Sequence, residues 1–348
     1  MTLQELFEIE LPIIQAPMAG VQDGALAIAV SEAGGLGSLP CAMLGTDALL
    51  EALTTLQAHT RKPINLNFFC HTPPPQHPER EAAWRKLLAP YYEEYGIDSQ
   101  ALPTGPQRRP FSHEVADVLE AFQPPVISFH FGLPDKALLA RVKSWGSKVI
   151  ASATTTEEAL WLEAQGIDAI IAQGLEAGGH RGHFLSDDIN LQMGTFALLP
   201  QVVKAVNLPV IAAGGIVDAR GVTAAMALGA VGVQAGTAYL LCPESTTSAL
   251  HRAALKSSGA CHTALTNIFS GRPARGIINR AIRELGPVSH SAPAFPLAST
   301  AITPLRTAAE KQNSGDFSPL WCGQNASGCV EISAAELTLS LAAGLSQG

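Results

Sequence analysis

The feature that most constrains this chain is a repeated switch of period, in which short β-rich apolar runs alternate with stretches whose apolar residues recur at helical spacing. Eight such units can be counted, with strands read at Pro12–Pro17, Gly35–Leu39, Pro63–Phe69, Val126–Gly132, Lys148–Ala153, Asp168–Ala172, Pro209–Ala213 and Val231–Ala235. Runs such as VISF and PVIAA are continuously apolar, as expected where helices cover both faces of a parallel sheet. Eight consecutive βα units predict an α/β fold closed as a TIM (β/α)8 barrel rather than an open doubly wound sheet.

Helix signals fall between these strands. Leu26, Val30 and Ala33 share one face ahead of a capping Gly34, and Thr155 and Glu158 have capping-box spacing in a helix that Gly166 closes. Pro134 and Pro200 are read as first helical residues, and Asp218 as the cap of a helix carrying Val222, Ala225 and Met226. Two segments depart from the repeat. Residues 70–112 hold a Pro-rich entry, a short helical stretch with Trp84 and Tyr91, and a Pro/Gly-rich exit. Residues 241–320 carry PES, SGRPARG and a Pro/Ser/Ala-rich run, ahead of a last helix introduced by Ser333 and Glu336. The expected division is a barrel over 1–69, 113–240 and 321–348, with the two insertions forming a smaller lid or substrate domain at the C-terminal ends of the strands.

Composition removes several functional classes. With 22 Lys+Arg against 30 Asp+Glu and 47% hydrophobic residues, the chain has neither the basic balance of a nucleic-acid binder nor the composition of a disordered one. No apolar run reaches the length of a membrane span, and the acidic N-terminus MTLQELFEIELPI is unlike a secretion signal, so a cytoplasmic location is expected. Six scattered cysteines (Cys41, Cys70, Cys242, Cys261, Cys322, Cys329) form no C-x-x-C pair; buried reduced thiols are expected, and no metal site.

Glycines cluster after three late strands: Gly178 and Gly179, Gly214 and Gly215, and Gly236 followed by Thr237. Such pairs also serve tight turns. Their placement at neighbouring strand ends favours a phosphate site, where backbone N–H groups approach an anion closely and Thr237 adds a hydroxyl. In QGLEAGGHRG, residues 173–182, His180 stands directly behind Gly-Gly at the functional end of the sixth strand. An isolated histidine is more often a satisfied structural residue, but this placement makes His180 the leading catalytic candidate, able to exchange a proton or, as a cation, to stabilise an anion. His183 is the runner-up. Arg181 is read as pairing with an acid, and Glu176 as a loop acid.

PIIQAPMAGV, AGGLGSL, INLNFF, SFHFG, QGLEAGGHRG, PVIAAGG, VQAGTAYLLCPES and TNIFSGRPARG occur in that order between Leu11 and Arg280, and GDFSPLWCGQ follows. Together they resemble the nitronate monooxygenase family, formerly 2-nitropropane dioxygenases. The resemblance implies an FMN-dependent barrel whose phosphate site holds the FMN phosphate. Ala16, Pro17 and Met18 would lie against the isoalloxazine, while Asn67 and Gln173 would hydrogen-bond the flavin ring. Gly178, Gly179, Gly215, Gln234, Ala235, Gly236 and Thr237 would hold the ribityl phosphate, and His180 matches the family's active-site histidine. The implied reaction is oxidation of alkyl nitronates such as propionate 3-nitronate by O2 to a carbonyl compound and nitrite, through a flavin semiquinone. Small-molecule nitronate and O2 are then the expected partners, without nucleic acid or membrane, in a monomer or homodimer.

One departure bears on substrate choice: where some family members carry tyrosines and a lysine after SGRPARG, this chain reads APAFPLASTAITPLR, with Phe295 its sole aromatic residue. Two alternatives stand beside the monooxygenase reading. One is an NAD(P)H-dependent FMN reductase of the enoyl-acyl-carrier-protein or quinone reductase type, although no G-x-G-x-x-G follows a strand. The other is a flavin- or phosphate-binding barrel without turnover.

Overall fold

The computed structural model describes residues 1–75, 77–98 and 108–347. Its strands are β1 (Ile13–Gln15), β2 (Gly37–Pro40), β3 (Ile64–Phe69), β4 (Val126–His130), β5 (Lys148–Ala153), β6 (Ala169–Gln173), β7 (Gly179–His180), β8 (Val210–Ala213), β9 (Gly232–Ala235), β10 (Thr263–Thr266) and β11 (Ala274–Ile277). Eight of them pair in parallel in the order β1-β9-β8-β6-β5-β4-β3-β2. A parallel bridge between Ile14 and Leu36 closes the ring, with Gln15 N–H donating to Leu36 O at 3.0 Å and Leu36 N–H to Ile13 O at 2.9 Å. This is the expected TIM barrel, and all eight strands lie where the periodicity places them.

The pleat sorts side chains into two layers. Ile13 joins the larger core between sheet and helices, with Leu26, Leu66, Ile127, Val149, Ile170, Val210 and Val233. Ile14 faces inward with Leu36, Val126, Ile150, Ile171 and Ile211. The helix Leu3–Phe7 adds Leu3, Leu6 and Phe7 to that inner cluster. Each such side chain contributes roughly 1.5–3 kcal/mol when fully buried. A Cβ on Gly232, at the start of β9, would lie 2.4 Å from Leu3 Cδ1, so glycine there lets the N-terminal helix seat against the barrel floor. The floor is thereby filled, and open space remains at the C-terminal mouth.

The two insertions meet over that mouth. The helix Pro78–Glu94 packs against the helix Ala298–Lys311, and Trp84, Leu88 and Tyr92 share a second apolar cluster with Ala298, Ala301, Ile302, Leu305, Ala309 and Phe317. Trp84 Nε1 donates to Ala298 O at 3.2 Å and the Tyr92 hydroxyl to Ala301 O at 2.6 Å. The Pro/Ser/Ala-rich run becomes helical because its buried residues recur at three- and four-residue spacing, which composition alone conceals. Part of the Pro/Gly-rich exit read in the first insertion, residues 103–107, lies outside the described residues.

Other local expectations need correction. Pro200 lies inside the helix Thr195–Ala205 rather than at its start, and Pro134 precedes Asp135, whose carboxylate caps the next helix by accepting from Leu138 N–H at 2.9 Å. Thr155 caps its helix, but the Glu158 carboxylate turns to Thr154 and to the amides of Phe184 and Leu185 instead of completing a capping box. Ser333 and Glu336 do form a complete capping box. Of the six thiols, Cys41, Cys242 and Cys322 are buried, Cys70 and Cys329 half-buried, and Cys261 is exposed, contrary to a uniformly buried set. Among the described residues no helix is long and apolar enough to cross a membrane, and no cluster of His, Cys, Asp or Glu is arranged to hold a metal ion.

Candidate active site

The strands' C-terminal ends and the C-terminal segment enclose a cavity of about 1400 Å³ including its opening to solvent. Single-ligand pockets span roughly 300–1,000 Å³. Of the residues expected at the site, Ala16, Pro17, Met18, Asn67, Gln173, Gly178, Gly179, His180, Gly215, Gln234, Gly236 and Thr237 line it. Ala235 does not: the pleat turns its side chain into the core between sheet and helices, and its carbonyl accepts from Ala16 N–H at 2.8 Å. His183 also stands outside the lining. It is buried, 3.5 Å from Asp187, with a pKa pushed down to about 3 by burial.

Buried polar contacts hold the walls in place. Gln15 Nε2 donates to Gln22 Oε1 at 2.7 Å, Ser38 N–H donates to Gln15 Oε1 at 3.0 Å, and Met18 N–H donates to Gln22 Oε1 at 2.8 Å, which shapes the turn after β1. Register pairs Asn67 with Ser128, and Asn67 Nδ2 donates to Ser128 Oγ at 2.9 Å. Gln173 uses both ends of its amide: Nε2 donates to His180 O at 3.0 Å and Oε1 accepts from Gly182 N–H at 2.8 Å. Arg181 meets no acid. Fully buried, it donates to Gln192 Oε1, Gly174 O and Gln173 O, and burial pushes its pKa down to about 9. Glu176 accepts from Thr195 N–H and Oγ1–H at the start of a helix, where a carboxylate suits the dipole.

The glycine positions are tight as well as flexible. A Cβ on Gly178 would lie 2.6 Å from Gly323 N and 2.7 Å from Cys322 C, both backbone atoms. Gly323 N–H donates to Thr237 Oγ1 at 2.9 Å, and Asn325 Nδ2 donates to Gly215 O at 3.2 Å, so the C-terminal segment laces this wall together. Gln234 Oε1 is buried without a hydrogen-bond partner.

His180 sits on β7, a strand the sequence reading did not include among its eight. Ala274 of β11 pairs with His180 and Arg275 with Gly179, in a small antiparallel sheet with β10. A two-residue strand whose partner lies some ninety residues on has no local period to betray it. The imidazole Nε2 lies 2.8 Å from the buried Ser270 Oγ. Phe295 and Trp321 meet the ring edge-on, at centroid distances of 5.4 and 5.5 Å. Burial, with the Arg108, His130, Arg272 and His183 charges after it, holds His180 well below the ordinary histidine range. In this cavity burial favours the neutral imidazole, with one N–H donor and one acceptor nitrogen, over the cation.

Several lining residues escaped the residue-by-residue reading: Arg108, His130, His251, Trp321 and Asn325. SFHFG and GDFSPLWCGQ already held His130 and Trp321, whereas Arg108 lies in a segment with no repeat to locate it. His130 is held by Ser152 Oγ at 3.0 Å and the His180 carbonyl at 3.2 Å, and burial pushes its pKa down to about 3. Among the described residues, no aspartate or glutamate lines the cavity of a chain whose net charge is −8.

A barrel with its cavity at the C-terminal mouth, walled by glycines, amides and imidazoles, has the architecture of a TIM-barrel enzyme. The family profile described as nitronate monooxygenase matches residues 1–344. The nitronate monooxygenase of Pseudomonas aeruginosa is 42% identical over 97% of this chain and 96% of its own length. Among solved structures, the nitroalkane oxidase of Streptomyces ansochromogenes has a TM-score of 0.90 at 39% identity, covering 99% of this chain and 98% of that one. FabK from Thermotoga maritima has a TM-score of 0.72 at 28% identity, covering 100% and 96%. The chain belongs to the nitronate monooxygenase family. Membership implies a flavin cofactor and favours neither the reductase nor the non-catalytic alternative.

Proposed function

We propose that this chain binds FMN and uses O2 to oxidise alkyl nitronates to a carbonyl compound and nitrite. The observation that carries the reading is the cavity's polarity: it offers Arg108, His130, His180, His251, side-chain amides and glycine backbone, with no carboxylate among its described lining residues. Such a site favours an anion, and a nitronate is one.

The cavity suits FMN in two ways. The Gly178, Gly215, Gly236 and Thr237 wall is crowded enough at Gly178 to exclude a side chain, as a backbone cradle for phosphate requires, and Gln234 Oε1 is a buried acceptor in want of a donor. Ala16, Pro17, Met18 and Asn67 would hold the ring, with Gln173 acting through the His180 loop that it ties down. When bound, the flavin supplies the electron transfer between nitronate and O2. The chain's own residues bind and orient the anion. His180 Nε2 and Ser270 Oγ are hydrogen-bonded at 2.8 Å, which fixes the ring, and the tautomer in which Nε2 accepts would leave Nδ1–H to hydrogen-bond a nitronate oxygen. Phe69, Phe131, Phe295 and Trp321 around that ring exclude water and strengthen the bond. The two insertions act as a lid domain over this end, joined through the Trp84 and Tyr92 contacts.

Purified, FMN-loaded protein should consume O2 with propionate 3-nitronate and release nitrite without added NADH. His180→Asn should stay yellow and lose most turnover. Rapid bleaching by NADH, with nitronates inert, would replace this reading with the reductase one; equal activity in His180→Asn would remove His180 from the mechanism.

A further inference from the structure

Arg108 is the cation of this cavity whose charge has no assigned task. It lines the wall, its Nη1 is buried without a hydrogen-bond partner, and its guanidinium carbon lies 5.5 Å from the centre of the Phe295 ring. The groups felt by Arg108, His71 and His180 across this space are Arg306, Arg108, Arg272, His130 and His183, of which Arg306 is paired with Glu310 and Arg272 feels Asp187 and Glu158. A guanidinium whose buried Nη1 has no partner among the described residues is unfavourable unless an anion reaches it. Its planar fork matches a carboxylate.

The His180 ring centre lies 5.4 Å from the same Phe295 ring that Arg108 approaches at 5.5 Å. Imidazole and guanidinium therefore both border one aromatic side chain and stand at most about 11 Å apart. Phe295 itself lacks any polar atom with which to receive the far end of a substrate. The cation comes instead from the other insertion.

We propose that Arg108 determines substrate specificity by receiving a carboxylate at the far end of the nitronate, so that short carboxylated nitronates are preferred over alkyl nitronates of similar length. The assignment rests on the nitronate reading above and deepens it. Wild type, Arg108→Gln and Arg108→Lys are compared with propionate 3-nitronate and propyl 1-nitronate, and butyrate binding is read from the flavin difference spectrum. Wild type should favour the carboxylated substrate at least tenfold in kcat/KM. A charge-assisted hydrogen bond is worth about ten- to hundredfold, so Arg108→Gln should lower that ratio by this factor, mainly through KM, with Arg108→Lys intermediate and butyrate binding lost in the glutamine variant. A wild-type ratio near one, or a ratio unmoved in Arg108→Gln, overturns the assignment while nitronate oxidation stands. Consumption of neither nitronate overturns the underlying reading instead. Should both variants lose flavin, the wild-type preference between the two nitronates decides.

Discussion

Acid should unfold this protein steeply, because its folded state keeps histidines neutral. Burial is the first cause in each case: it pushes His71 and His251 down to about 4, and His130 and His183 to about 3. The sign follows from linkage. A base whose folded pKa lies below its unfolded value of about 6.5 binds its proton more readily in the unfolded chain, so stability is complete above that value and falls as pH drops toward the folded pKa. At pH 5 each of the four histidines has lost about 1.5 pKa units of advantage, or about 2 kcal/mol, and together about 8 kcal/mol. That is comparable with the whole stability of a typical domain, about 5–15 kcal/mol. Urea unfolding of the FMN-loaded protein at pH 7.5, 6 and 5 should show this loss as an uptake of at least about four protons on unfolding near pH 5, with buried His180 adding to it. His183→Gln should flatten the dependence by about one proton. A total loss below about 2 kcal/mol, equivalent to a single histidine, would refute the claim that burial keeps this set neutral.

Two further outcomes follow from the walls of the site. Gly178→Ala places a methyl group against the backbone at Gly323 and Cys322, so fluorimetric titration should show FMN binding weakened about tenfold or more, whereas Gly45→Ala, with open space around its Cβ, should leave it unchanged. Arg181→Met strands the oxygens of Gln173, Gly174 and Gln192 in the interior. At about 1–3 kcal/mol for each, urea unfolding should show at least about 3 kcal/mol of destabilisation, and a change within about 1 kcal/mol would mean that the buried guanidinium is dispensable.

Much of the barrel could be read along the chain, because each βα unit buries one stripe or one run against its neighbours and that requirement is written at spacings of two to four residues. Failures were local where tertiary packing overrode a local cue. Pro200 suits a helix start but continues one, and Glu158 leaves its capping box because four donors on Thr154, Phe184 and Leu185 compete for its carboxylate. At the cavity, the strand-end glycines and His180 were legible because they cluster at the C-terminal ends of neighbouring parallel strands, where a barrel opens. Ala235 stands off the cavity lining because a motif names consecutive residues while a pleat alternates their faces.

What the sequence by itself determined is therefore the ring of strands and the glycine and histidine positions that line the cavity at its C-terminal mouth. Only the tertiary structure decided what surrounds the histidine. Ser270, Phe295, Trp321 and Arg108 reach it from segments roughly 70 to 140 residues away, through β7–β11 pairing and the meeting of two insertions. Those contacts also lower its proton affinity. Proton affinity depends on the water excluded and the charges gathered around a group, and neither is a property of neighbouring residues along the chain.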